Sequence, residues 1–195
     1  MKQKPQPDIA FRDVTLIVLF GFIAIVVLLL PHLKQAEEEE SGKKPPGNLT
    51  VMITWPAGWD TDVDLWVLAP GDKPVGYSNR GGIVFDLLRD DRGNILDEYA
   101  LNYEYAFTRG VPAGEYVINL HLFGNAQGTY PVPVSVEVSL SVEDASRTVR
   151  TLLIVDEPVL LQRIGEEITV FRFRMNADGR IVPGSVNTIP KDLRT

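Results

Sequence analysis

The chain of 195 residues carries a formal charge of −7, 45% hydrophobic and 9% aromatic residues, and no cysteine. That length holds about one domain with an appendage. The missing cysteines exclude disulfide scaffolds, Cys-ligated zinc or iron–sulfur sites and thiol chemistry. Two histidines, His32 and His121, leave little for a His-based metal site or catalytic triad, and 26 acidic against 19 basic residues exclude an electrostatic nucleic-acid partner.

Val14 to Leu30, VTLIVLFGFIAIVVLLL, is a run of 17 residues without a charge. At 1.5 Å per residue it spans roughly 26 Å, near the hydrocarbon thickness once flanking residues are added. A core helix would show a polar face. A cleaved signal peptide would have a shorter apolar region, and the following PHLKQAEE offers no small-x-small cleavage site. The run predicts a retained transmembrane helix over 14–33 after a cytoplasmic tail of residues 1–13. Lys2, Lys4 and Arg12 precede it and Lys34, Lys43 and Lys44 follow. The positive-inside rule therefore leans only on position, Lys43 and Lys44 lying farther from the span. The lean places the N-terminus in the cytoplasm and the remainder outside it. Glu37 to Glu40 and the following SGKKPPGN predict a solvated linker over 34–48.

From Leu49 the pattern changes to period two: Leu49, Val51, Ile53 and Trp55 alternate with Thr50, Met52 and Thr54, as a half-buried strand requires. Further strand-like runs are 63–67, 75–78, 83–87, 103–107, 116–123, 134–140, 148–155 and 168–175. Turn signals separate them, among them Asn79-Arg80-Gly81-Gly82, Asp91-Arg92-Gly93-Asn94 and Pro112-Ala113-Gly114. The expected fold is all-β: an antiparallel β-sandwich, Ig-like or jelly-roll-like, over 49–182, with a loose tail over 183–195. Such a domain can bury one core without disulfides or metals.

The densest local chemistry lies in Trp55-Pro-Ala-Gly-Trp59-Asp60-Thr-Asp62-Val-Asp64-Leu-Trp66. Asp60, Asp62 and Asp64 at alternate positions can converge on Ca²⁺, a hard cation that takes several oxygens. The segment lacks the glycine and the terminal Glu of an EF-hand loop, and the plainer expectation is a polar strand entry with the carboxylates facing solvent or a neighbouring loop. No cofactor is otherwise expected. Trp59 and Trp66 are candidate sugar-stacking aromatics, whereas Trp55 shares parity with core residues. Asp86, Asp90 and Asp91 form a second acidic cluster, offset by Arg89 and Arg92. Hydrolase chemistry is not expected: Gly76-Tyr-Ser78-Asn-Arg80-Gly81 misses the nucleophile elbow by one position and has no strand–helix context.

Ile9-Ala10-Phe11-Arg12-Asp13-Val14, running directly into the apolar stretch, resembles the start of the membrane helix in the B-type subunits of ion-driven motors: ExbD, TolR and MotB. The resemblance implies that Asp13 is an ion-coupling carboxylate near the cytoplasmic end of a single-pass inner-membrane helix. Arg12 stands where the family has a small or apolar residue and would modulate Asp13. It further implies a homodimer through that helix, a MotA/TolQ/ExbB-like multi-span partner and a periplasmic domain. Asp62-Val-Asp64-Leu-Trp66-Val, Pro70-Gly71, Asp90-Asp91-Arg-Gly93 and Pro112-Ala-Gly114-Glu-Tyr116 resemble an uncharacterised bacterial sandwich domain that follows a TolR-like helix. The expected function is a motor subunit; the alternative is a membrane-tethered, non-enzymatic binding or scaffold module for envelope glycan or protein.

Overall fold

A computed structural model describes the backbone of residues 9–42, 48–93, 101–144, 147–155 and 157–194. It divides into two compact units, 1–44 and 45–195. The first holds one helix, α1 (Ile9–Gly42). The described side chains in it, residues 12–28, are exposed. Among the described residues no helix is long and apolar enough to cross a membrane. This corrects the expected transmembrane helix over 14–33, and with it the single-pass inner-membrane location and the periplasmic placement of the C-terminal part. The uncharged run counts 17 residues, at the lower limit of a span, and is stopped on both sides, by Arg12-Asp13 before it and Pro31-His32 after it. The linker expected over 34–48 is also revised, because α1 continues through Glu37–Glu40 to Gly42; residues 43–47 lie outside the described residues.

Among its described residues the second unit holds nine strands: β1 (Leu49–Trp55), β2 (Thr61–Leu68), β3 (Phe85–Arg89), β4 (Asn102–Thr108), β5 (Gly114–Asn125), β6 (Val132–Asp144), β7 (Arg147–Ile154), β8 (Val159–Leu161) and β9 (Glu167–Met175). They form two antiparallel sheets, one in the order β3-β4-β1-β6-β7 with β8 on the start of β6, the other β2-β5-β9. Period-two alternation drives the layering. Leu49, Val51 and Ile53 from β1 are fully buried and meet Val63, Leu65 and Val67 from β2 in one core. Tyr116 anchors its middle, its ring stacked on Phe173 at 5.5 Å and edge-on to Phe85 at 6.2 Å. Its hydroxyl donates to Pro112 O at 2.8 Å, which satisfies the one polar atom that this burial would otherwise strand. The all-β expectation matches this two-sheet architecture. The run at 75–78 is not a strand but the tight hairpin 76–79, closed by reciprocal Gly76–Asn79 backbone bonds of 3.1 Å.

The tail expected to be loose is packed instead. Arg172 and Asn187 exchange two backbone hydrogen bonds of 2.8 Å. Lys191 N donates to Thr169 Oγ1 at 3.0 Å, and Lys191 O accepts from Asn119 Nδ2 at 2.8 Å. Lys191 Nζ and Arg172 Nε bond the two oxygens of Glu115 and hold its carboxyl below the usual range. The cause lies in the outer face of the three-stranded sheet. Trp66 and Val117 project there and need apolar cover, which Leu193 supplies at 3% exposure. Leu193→Ala is therefore expected to cost about 2 kcal/mol, measured by chemical denaturation, and to make residues 187–195 the first site of proteolysis.

Candidate functional site

Within its sheet, strand β2 pairs only with β5; on its other edge Val67 exchanges two backbone hydrogen bonds with Val75, at 2.9 and 2.8 Å, and the N–H of Leu65 is left for a side chain. Glu104 of β4 supplies it. Along β4 the buried residues are Asn102, Glu104, Ala106 and Thr108, while Tyr103, Tyr105 and Phe107 are only half-buried. Glu104 Oε2 accepts from Leu65 N at 2.7 Å and Oε1 from Asp91 N at 3.3 Å. Asp91 in turn accepts from Gly93 N at 3.1 Å, Tyr103 N at 3.2 Å and Arg89 Nη2 at 2.9 Å. Gly93 has φ +76°, and a Cβ there would meet Thr61 N at 2.9 Å. These contacts press the segment after β3 against β2 and so place Asp90 beside the carboxylates of that strand.

The result is a pocket of about 260 Å³ lined by Asp62, Asp64, Asp90, Arg92, Tyr77 and Phe123. Ligand atoms of Asp64, Asp90 and Glu104 all lie within 4.8 Å of one another. Asp62 Oδ1 is buried there without a hydrogen-bond partner. Such crowding disfavours ionisation. Burial first, then the charges of Asp64 and Asp90, push the Asp62 carboxyl up to about 7 against the pull of Arg92. Burial also raises Asp64, partly countered by its bond from His121, and raises Glu104 well above the usual range, partly countered by Leu65 N.

Asp64 Oδ2 and His121 Nδ1 are 2.7 Å apart. The pair has the geometry of two members of a catalytic triad, but His121 is 2% exposed and lines neither this pocket nor the larger groove beside it. It acts as an internal partner for Asp64.

The expected calcium triplet is brought together only in part. Asp62 and Asp64 reach the pocket; Asp60 does not line it, and its backbone oxygen accepts from Gln127 N. Asp64 is buried at 2% exposure rather than solvent-facing. Asp86 is engaged by Arg109 at 2.7 Å. Trp59 packs against the core, its carbonyl held by Asn102 Nδ2 at 2.9 Å, and Trp66 is 6% exposed rather than a surface aromatic. Trp55 is a core residue whose Nε1 donates to Thr61 O at 2.9 Å. Asp13 and Arg12 sit on α1 with exposed side chains. Sequence reasoning missed Glu104 and left Asp90 in a separate cluster. The available signal was a carboxylate set between two tyrosines in an otherwise apolar strand.

No protein-family model, no curated protein and no solved structure matches the chain. Nothing in these comparisons identifies a TolR-, ExbD- or MotB-like protein.

Proposed function

We propose that the sandwich is a binding module, not a catalyst, and that its pocket takes a hard divalent cation of the Ca²⁺ kind. The observation that carries this reading is the convergence of Asp64, Asp90 and Glu104 ligand atoms within 4.8 Å of one another. Oxygens on opposite sides of a Ca²⁺ ion at about 2.4 Å would stand about 4.8 Å apart, so one ion can touch all three. An all-oxygen donor set favours Ca²⁺ over metals that prefer nitrogen or sulfur. Asp62 stands outside that trio but leaves an unpartnered oxygen in the same pocket. A bound cation would offset the burial and the neighbouring charges that keep Asp62, Asp64 and Glu104 hard to ionise. The aromatic rings of Tyr77 and Phe123 at the lip then give a partner an apolar contact beside the ion.

Calorimetric titration of the full chain with CaCl₂ tests this reading. One saturable site is expected. Asp90→Asn should weaken it at least tenfold with little loss of stability, because Asp90 approaches Arg92 only to 4.0 Å. Asp60→Asn should leave it unchanged. Absence of a saturable site, or equal sensitivity to both variants, refutes the proposal.

A further inference from the structure

Beside the acidic pocket, on the far side of Tyr77, lies a groove of about 570 Å³. Trp66, Tyr77, Arg163, Glu166, Asp192 and Arg194 line it. Three observations single it out. First, Trp66 is 6% exposed, yet its indole Nε1 is buried without a hydrogen-bond partner. A stranded donor of this kind is costly unless something accepts from it. Second, Gly76 lies so close to the indole that a Cβ on it would meet Trp66 Cδ2 at 2.5 Å. The hairpin 76–79 is thereby laid flat on the indole, which holds the Tyr77 ring, 39% exposed, at the lip and 5.5 Å from the ring of Trp66. Third, the lining carries both signs. Arg163 and Arg194 stand with Asp192, with Glu166, which accepts from Gln162 N, and with Glu167, which accepts from Asn119 Nδ2 and Leu193 N.

We propose that this groove binds a neutral saccharide. A lining with both signs penalises a strongly anionic or cationic ligand on one side or the other. A hydroxyl both donates and accepts, so adjacent sugar hydroxyls satisfy arginine donors and carboxylate acceptors at once. One sugar oxygen also accepts from Trp66 Nε1. The exposed face of Tyr77 offers the apolar surface on which the C–H face of a pyranose packs. The size lies within the range of small-ligand sites. This inference goes beyond the cation reading and does not depend on it, because none of its polar contacts comes from Asp62, Asp64, Asp90 or Glu104.

Saturation-transfer NMR on the full chain, run in EDTA, tests it with four neutral hexasaccharides: those of β-1,4-glucose, β-1,4-N-acetylglucosamine, α-1,6-mannose and β-1,4-galactose. The expected result is transfer to at least one, with a shift of the Trp66 indole N–H resonance. Tyr77→Ala and Arg163→Ala should each weaken that binding at least tenfold while the melting temperature stays within a few degrees of the parent. Failure of all four probes overturns the proposal. So does binding that survives both substitutions, or tighter binding of hexagalacturonate, which would mean that the groove selects an anion. Failure of calcium binding with saccharide binding intact would refute only the reading of the neighbouring pocket.

Discussion

In EDTA the full chain is expected to melt at a lower temperature at pH 8 than at pH 5, and Ca²⁺ is expected to act far more strongly at pH 8. The sign follows from the raised carboxyls. Asp62 moves from 3.8 to about 7, and Asp64 and Glu104 are raised as well. Between about pH 4 and 7 the unfolded chain has released these protons while the folded chain still holds them. Stability therefore falls as pH climbs through that window. Asp72 and Glu115 have lowered values, and their contribution is gained below this window, so it does not reverse the trend. A cation needs the ionised carboxylates and competes with their protons. At a hundred times its dissociation constant it contributes about 2.7 kcal/mol, which for a domain of this size is a rise of roughly 5–10 °C at pH 8. At pH 5 the rise should be smaller. A scanning-calorimetry series over both pH values, with and without Ca²⁺, reads all four numbers; an equal calcium shift at the two pH values would refute the coupling.

Gly93→Ala is expected to be strongly destabilising. Its φ of +76° lies in the left-handed region, which alone costs a residue with a Cβ about 1 kcal/mol. Here the methyl would also stand 2.9 Å from Thr61 N and 3.0 Å from Thr61 O, backbone atoms at the start of β2 that cannot move aside. The expected loss is about 3 kcal/mol. Gly128→Ala separates the two contributions: its φ is +69°, but nothing lies within 4 Å of the added carbon, so about 1 kcal/mol is expected. The comparison also reports on function. Gly93→Ala pushes the segment that carries Asp90 away from β2 and should abolish the calcium-induced rise in melting temperature, whereas Gly128→Ala should keep it. Equal stability losses in the two variants would mean that the approach to Thr61 is not a constraint.

The pattern of residues was enough for eight of the nine strands, because each has several alternating apolar positions and a turn signal at its ends. Only β8, three residues long, is too short to carry a period. The amphipathic logic worked less well where the opposite face is also covered. Trp66 and Asp64 alternate with core residues and so look solvent-facing, yet both are buried, Trp66 beneath the 76–79 hairpin and Leu193, Asp64 against His121. Leu193 lies more than a hundred residues from Trp66 and His121 lies 57 from Asp64, separations that leave no local trace. The uncharged stretch at 14–30 shows the converse limit: its uniform hydrophobicity was legible, yet at 17 residues it sits at the lower limit of a span, and among the described residues no helix is long and apolar enough to cross a membrane.

By itself the chain determined the sheet class, the core-facing residues of β1 and β2, and the pairing of Asp62 with Asp64, since alternation and turn chemistry act within a few residues. Only the tertiary structure decided which carboxylates share a pocket. In β4 the aromatic residues Tyr103, Tyr105 and Phe107 would be assigned inward by hydrophobicity, but the inward face is Asn102, Glu104, Ala106 and Thr108. That parity is set by what the neighbouring layer demands. The edge of β2 away from β5 presents the N–H of Leu65, and Glu104 satisfies it. A buried donor must be paired, and the partner was chosen by the meeting of two sheets, a long-range contact that no local pattern encodes.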